Sequence, residues 1–261
     1  MTHDTDLRTL CERLAYEAGT IAYQGRRRAS TLDPDTKSST TDLITEFDRA
    51  AEASIVDILR AERPDDAIVG EEGTSITGTS GYAWHIDPID GTTNFVYDQP
   101  AWCCSVAVAQ DDDMVAGAVY VPVFAELFSA HRGGGATVNG RPISASDKTD
   151  IATALIATGF AYLPERRAEQ AQRLPHLLPR VRDIRRLGSA AVDLCMVACG
   201  RIDGYYETYL NLWDAAAGEL IAREAGARSS DSEGGPATPA DLVVAAPGIH
   251  DDLVELLSGG C

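Results

Sequence analysis

The order of periodic segments predicts a layered α/β (α+β) fold, mainly antiparallel in its first half and built from strand–helix units in its second. Two observations carry this reading. Between residues 67 and 140, short apolar segments of strand length follow one another, separated by turns rich in Gly, Asn and Asp. From about residue 151, strand-length and helix-length segments alternate instead, as they do where helices cover a sheet.

The elements follow in order. Leu7, Leu10, Cys11, Leu14, Ala18, Ile21 and Ala22 recur at three–four spacing, so residues 5–28 read as one amphipathic helix. Arg26, Arg27 and Arg28 close it, where positive charge complements the helix dipole; a nucleic-acid patch is the less favoured reading. Phe47, Ala51, Ser54, Ile55, Ile58 and Leu59 mark a second helix, ended near Pro64. Residues 67–69 and 82–86 read as short strands on either side of the loop Gly73 to Gly81. Residues 102–109 and 114–121 form a hairpin turning through Asp111, Asp112 and Asp113. Residues 124–130 and 136–138 make another pair, joined through Gly133-Gly134-Gly135 and followed by the Asn139-Gly140 turn signal.

The second half alternates strand 153–158, helix 165–178, strand 182–186, helix 189–199, strand 203–208, helix 213–225, strand 242–246 and helix 249–257. Gly200 and Gly226 fall just past two of these helices, a position that favours glycine. Ser229 to Pro239 reads as a surface loop, too short for a linker, so residues 1–261 are taken as one domain. Its halves divide near residue 150.

A formal charge of −18 argues against nucleic acid or an anionic membrane as a partner, since both would be repelled. No apolar run reaches membrane-spanning length, and Met1-Thr2-His3-Asp4 lacks the pattern of a signal peptide, so a cytoplasmic enzyme is expected. An acidic enzyme acting on an anion must reverse its local field, which points to bound cations. The six cysteines show no C-x-x-C spacing and read as packing residues.

The most informative stretch runs from Trp84 to Phe95. An apolar strand enters Asp87, and Pro88, lacking an N–H, is expected to stop the ladder there. Asp90 follows three residues later, so both carboxylates can turn to one point, where they repel unless cations lie between them. Hard oxygen donors of this kind suit Mg²⁺. Gly91 lets the backbone approach a ligand, and Thr92-Thr93 opens a short helix whose N–H groups suit phosphate. His85, inside the strand, reads as structural.

A bare D-x-x-D-G would read as a polar turn. The whole string Asp87-Pro88-Ile89-Asp90-Gly91-Thr92-Thr93-Asn94-Phe95 is far more specific, and it resembles the signature of the inositol monophosphatase family. Lys37 to Asp48, Val69-Gly70-Glu71-Glu72 and Trp213 to Gly218 match the same family in order and spacing, so the resemblance covers nearly the whole chain.

The resemblance implies the sugar-phosphatase fold, an αβαβα layered sandwich, with 1–150 as the metal-binding half and 151–261 carrying substrate contacts. It also implies a homodimer, and sensitivity to Li⁺. Glu71, Asp87, the carbonyl of Ile89, Asp90 and Asp214 would hold two or three Mg²⁺. Glu71 and Thr92 would orient the attacking water, with Asp48 hydrogen-bonded to Thr92. The Gly91 and Thr92 amides would hold phosphate, while Asp90, Gly188, Ala190 and Glu207 would contact the alcohol. Charge supports the same picture: each close like-charge pair costs on the order of 4 kcal/mol at 4 Å in an effective dielectric near 20.

The expected reaction is metal-assisted in-line hydrolysis of a small phosphate monoester, with inositol 1-phosphate the expected substrate. Histidinol phosphate and fructose 1,6-bisphosphate are the alternatives. A 3′-phosphoadenosine phosphatase is disfavoured because those proteins carry Lys where Thr93 stands. A non-catalytic regulatory protein on this fold should have lost a ligand, and none is missing. Tyr209 departs from the small residue expected after Glu207. Arg185 and Arg186 are left open between a second anionic group and a subunit contact.

Overall fold

The computed structural model describes residues 3–29, 32, 34–37 and 42–259. Ser38 to Thr41, within the first matching motif, and Cys261 lie outside the described residues. Helices α1 (His3–Arg28) and α2 (Glu46–Glu62) flank a two-stranded ribbon of β1 (Asp35–Thr36) and β2 (Leu43–Ile44). Next come β3 (Ala67–Gly70), β4 (Ser75–Ile76), β5 (Tyr82–Asp90), the short α3 (Thr92–Val96) and β6 (Cys103–Gln110). Then follow β7 (Asp113–Val121), β8 (Glu126–His131), β9 (Ala136–Val138) and β10 (Arg141–Pro142). β3 to β10 form one eight-stranded sheet in the order β10-β9-β8-β7-β6-β5-β3-β4, antiparallel except where β3 meets β5.

The rest of the chain supplies β11 (Leu155–Thr158), α4 (Pro164–Ala171), α5 (Leu174–Leu177), β12 (Asp183–Arg185) and α6 (Ala190–Ala198). It closes with β13 (Gly204–Thr208), α7 (Leu212–Glu224), β14 (Arg228–Ser230), β15 (Asp241–Ala245) and α8 (His250–Ser258). These strands form a second sheet in the order β12-β11-β13-β15-β14.

Burial explains the layering. α1 and α2 set Leu7, Leu14, Ile55 and Leu59 against Trp84, Ile86 and Val106 on one face of the large sheet. α6 and α7 fill the space between the sheets, where Leu194, Leu220 and Ile221 meet Val119, Phe128, Tyr205 and Val244. Every residue of α6 is buried, as a helix packed on both sides must be. α5 and α8 cover the outer face of the second sheet with Leu177, Leu253 and Leu257. The result is the αβαβα sandwich that the sequence led us to expect.

Several local expectations need correction. Pro88 does not end its strand: β5 runs on to Asp90, and the ladder passes from Asp87 opposite Ser105 to Asp90 opposite Cys103. Two residues of β5 face one of β6 there, a bulge that tolerates the missing N–H. The helix expected over 165–178 is broken into α4, α5 and a 3₁₀ turn at Leu178–Arg180, because Pro175 and Pro179 remove donors. β1, β2 and β4 have two residues each and β14 three, too short to leave a periodic signal. The turn signals hold, with positive φ at Asp111, Asp112, Asn139, Gly140, Gly200 and Gly226.

Asp66 ties the β3 edge to the sheet, accepting from Arg63 Nε at 2.7 Å, Ser80 Oγ at 2.6 Å and Trp84 Nε1 at 2.8 Å. Burial pushes its carboxyl up, but these donors outweigh burial and hold it below the usual range. A depressed acid stabilises the fold above its unfolded pKa, near 3.9, and loses that effect as pH falls through its folded value. Asp66→Asn is therefore expected to lower unfolding stability by about 1.5–3 kcal/mol at pH 7. Urea unfolding should show that deficit shrinking below about pH 4.

Candidate active site

The site is built where parallel strands end together. Gly70 of β3 is in register with Ile86 of β5, and the next amide, Glu71 N, donates to Ile86 O at 3.0 Å. This sets Glu71 beside Asp87. The bulge then carries Asp90 to the same edge, and the first turn of α7 brings in Asp214. All four carboxylates line one cavity of about 260 Å³. Ile89, Gly91, Thr92, Gly188, Ala190 and Glu207 line it too. Asp48 does not reach the wall; it is fully buried behind Thr92.

Each aspartate is anchored through one oxygen. Asp87 Oδ1 accepts from Ile89 N at 3.0 Å, and Asp214 Oδ2 from Asn211 N at 2.6 Å. Asp90 Oδ2 accepts from Ser189 Oγ and Ala191 N, both at 2.7 Å, which fastens it to the start of α6. Gly91 sits at φ 94° where an added Cβ would crowd the carbonyls of Ala101 and Gly188, so the turn after Asp90 needs glycine. Ile89 and Phe95 are buried against Trp102, holding the turn from below.

Thr92 Oγ1 lies 3.3 Å from Asp48 Oδ1 and 3.1 Å from the Ile89 carbonyl, so its single proton has two acceptors. Asp48 Oδ2 is fixed by the Thr45 amide at 2.8 Å. Burial pushes Asp48 up to about 6 despite the bonds from Thr45.

Like charge raises the aspartates further. Burial and then Glu71, Asp90 and Asp214 push Asp87 well above the usual carboxylate range. Burial, Asp90 and Glu71 do the same to Asp214. Asp90 rises to about 6, chiefly by burial and against the bonds from Ser189 and Ala191. One cation already touches the cluster: Lys37 Nζ lies 2.9 Å from Glu71 Oε1 and 2.8 Å from Glu72 Oε1. Burial works against that ammonium, but the two glutamates hold it charged.

Among the described residues, no three acid, imidazole or thiol groups close on a common point at ligand distance. The donor set is an open wall of carboxylates rather than a cage. That arrangement fits Mg²⁺, which keeps several waters and takes one or two carboxylates together with substrate phosphate. Burial first and like charge second raise Asp87 and Asp214, so a cation held among these carboxylates would offset both costs.

The second sheet also lines the cavity, through Glu207. Glu207 lies on β13 with its Oε2 accepting from Tyr205 Oη at 2.5 Å, and burial pushes it up to about 7. A Cβ at Gly159 would run into the Glu207 carboxylate, so that wall must be glycine. Tyr209 adopts φ 69° and turns its hydroxyl to Glu169 at 2.8 Å. Arg186 lines the cavity, whereas Arg185 pairs with Asp183 at 2.7 Å. His85 does not line it. Cys103, read as packing, does pack, but its thiol sits 4.0 Å from Asp90 Oδ2.

Sequence reasoning missed four supporting groups. Glu52 accepts from Glu72 N at 2.9 Å and from Thr74 N at 3.2 Å, fixing the turn that carries Glu71. Asn94 Nδ2 reaches the Ala101 and Leu187 carbonyls at 2.5 and 2.7 Å, joining the turn after Asp90 to the loop before α6. Ser189 and Asp193 are the others. A signal existed for Glu52 and Asp193: each is an acid set in the apolar face of a helix.

A model of the inositol monophosphatase family matches residues 4–258. The chain is 45% identical to the inositol-1-monophosphatase of Mycobacterium leprae, over 96% of this chain and 93% of that protein. It is 40% identical to a Pasteurella multocida protein named Nus factor SuhB, over 93% and 92% of the two. The crystal structure of extragenic suppressor protein SuhB from Bartonella henselae superposes with a TM-score of 0.93 at 34% identity, covering 98% of this chain and 100% of that one. With a family match across nearly all of its length, this chain belongs to the inositol monophosphatase family of phosphoric monoester hydrolases.

Proposed function

We propose that the chain hydrolyses a small polyol phosphate monoester, with inositol 1-phosphate as the preferred substrate, in reactions that need two or three Mg²⁺. The observation that carries this reading is one cavity lined both by Glu71, Asp87, Asp90 and Asp214 and by Glu207. Bound Mg²⁺ would offset the carboxylate and phosphate charge and make a water more acidic. Glu71, Asp87, Asp90, Asp214 and the Ile89 carbonyl would hold the cations.

The chain's own groups then divide the work. The amides of Gly91 and Thr92 hold phosphate oxygens. Asp48 accepts the Thr92 proton, which turns the oxygen's lone pairs towards the attacking water, and Glu71 orients that water from the other side. Thr92→Ala is expected to lower kcat by about 10²-fold, the scale of a positioned proton-transfer group. Wild-type kinetics in a folded variant would remove that hydroxyl from the reaction. A homodimer, lithium sensitivity and a cytoplasmic setting belong to the same reading, on the family resemblance.

Phosphate release from a panel of sugar, inositol, histidinol and nucleotide phosphates tests the substrate. Preference for a nucleotide or a bisphosphate would overturn it. Glu207→Gln tests the alcohol end, since it keeps the size and one acceptor while removing charge. Efficiency on the polyol ester is expected to fall roughly 10- to 150-fold more than on p-nitrophenyl phosphate, which has no hydroxyls to lose. Equal losses on both esters would place Glu207 outside the pocket.

A further inference from the structure

The alcohol end of the cavity contains a second acid group with no place in the scheme above. Asp193 is about 1% exposed, yet it lines the cavity. It lies in the first turns of α6, whose other residues are all apolar, so packing alone would favour an apolar side chain there. The Leu187 amide bonds this carboxyl. Its Oδ1 nevertheless has no hydrogen-bond partner among the described residues. A buried acceptor left unmade is costly, and because Asp193 is one of the residues lining the cavity, a hydroxyl entering there is the partner its carboxyl would gain.

Its surroundings define the chemistry of that visitor. Glu207 faces Asp193 closely enough to raise its proton affinity, after the larger effect of burial, and Asp90 adds to it. Arg186 is the cation acting on both Asp193 and Glu207. A carboxyl oxygen accepts from a hydroxyl, which is the bond that the Asp193 Oδ1 lacks. Two acid groups lining one cavity favour a neutral polyol over an alcohol bearing a second anion.

We propose that Asp193 is a further substrate-contact residue, binding a hydroxyl of the leaving alcohol next to the one held by Glu207. The pocket then selects alcohols with at least two free hydroxyls on one face. This rests on the polyol-phosphate reading of the cavity.

The test is steady-state kinetics of Asp193→Ala and Asp193→Asn on inositol 1-phosphate and p-nitrophenyl phosphate. For Asp193→Ala, kcat/KM on the inositol ester should fall roughly tenfold or more beyond any loss on the aryl ester. Asp193→Asn keeps an acceptor for the Leu187 amide and a polar group for the substrate, so it should recover part of that ratio. Equal losses on the two esters, or an unchanged ratio, would make Asp193 a structural residue and overturn the inference. If Asp193→Ala does not fold, Asp193→Asn decides alone: a several-fold shift in the ratio supports the contact, and no shift refutes it. A wild-type enzyme that ignores inositol 1-phosphate but cleaves another hydroxylated ester overturns only the named substrate. That ester then takes its place in the ratio, and the Asp193 contact is judged on it.

Discussion

Asp214→Asn is expected to cut phosphate release by more than about 10²-fold, the scale of losing one preorganised electrostatic group. The substitution is nearly isosteric, and an amide oxygen can still accept from Asn211 N, which now meets Asp214 Oδ2 at 2.6 Å. The start of α7 should therefore survive. What disappears is a negative charge placed next to Asp90 and Glu71. Stability separates this effect from damage to the fold. An acid whose folded pKa is raised makes the native state bind extra protons, so metal-free stability falls as pH rises above about 4, where the unfolded aspartates ionise. Removing Asp214 relieves that strain. The metal-free variant should melt no lower than metal-free wild type at pH 7, while gaining less from added Mg²⁺. A variant with wild-type kcat would remove Asp214 from the chemistry. One that melts far lower without metal would make the carboxylate a structural cap.

Much of this was legible in the sequence because the relevant residues sit at marked places. Asp87 and Asp90 end an apolar strand, Gly91 follows where the chain must turn, and Asp214 stands at a helix start; strand ends, turns and caps are what local patterns report best. The layering was legible too, since α1 and α2 carry helical spacing and β6 and β7 are short, near-continuous apolar runs bounded by turns. Legibility failed where a residue's neighbour is remote in the chain. Ser189 bonds Asp90 across 99 positions, and Asn94 reaches Leu187 across 93. No period or turn signal encodes such a contact. Pro88 misled for a related reason: its missing donor matters only if the partner strand needs it, and the bulge opposite Cys104 removes the need.

The divalent-metal requirement bears most directly on the whole reading, because the four carboxylates that line the cavity have no other evident use. The measurement is phosphate release from inositol 1-phosphate by protein stripped with EDTA and freed of chelator, before and after Mg²⁺ is returned. Activity should drop to background in the stripped protein and recover as Mg²⁺ is titrated in. The stripped protein should also melt at a higher temperature once Mg²⁺ is added, since a ligand that binds only the native state stabilises it. Full turnover by metal-free protein would contradict the site as described here, whatever its carboxylates were then found to do.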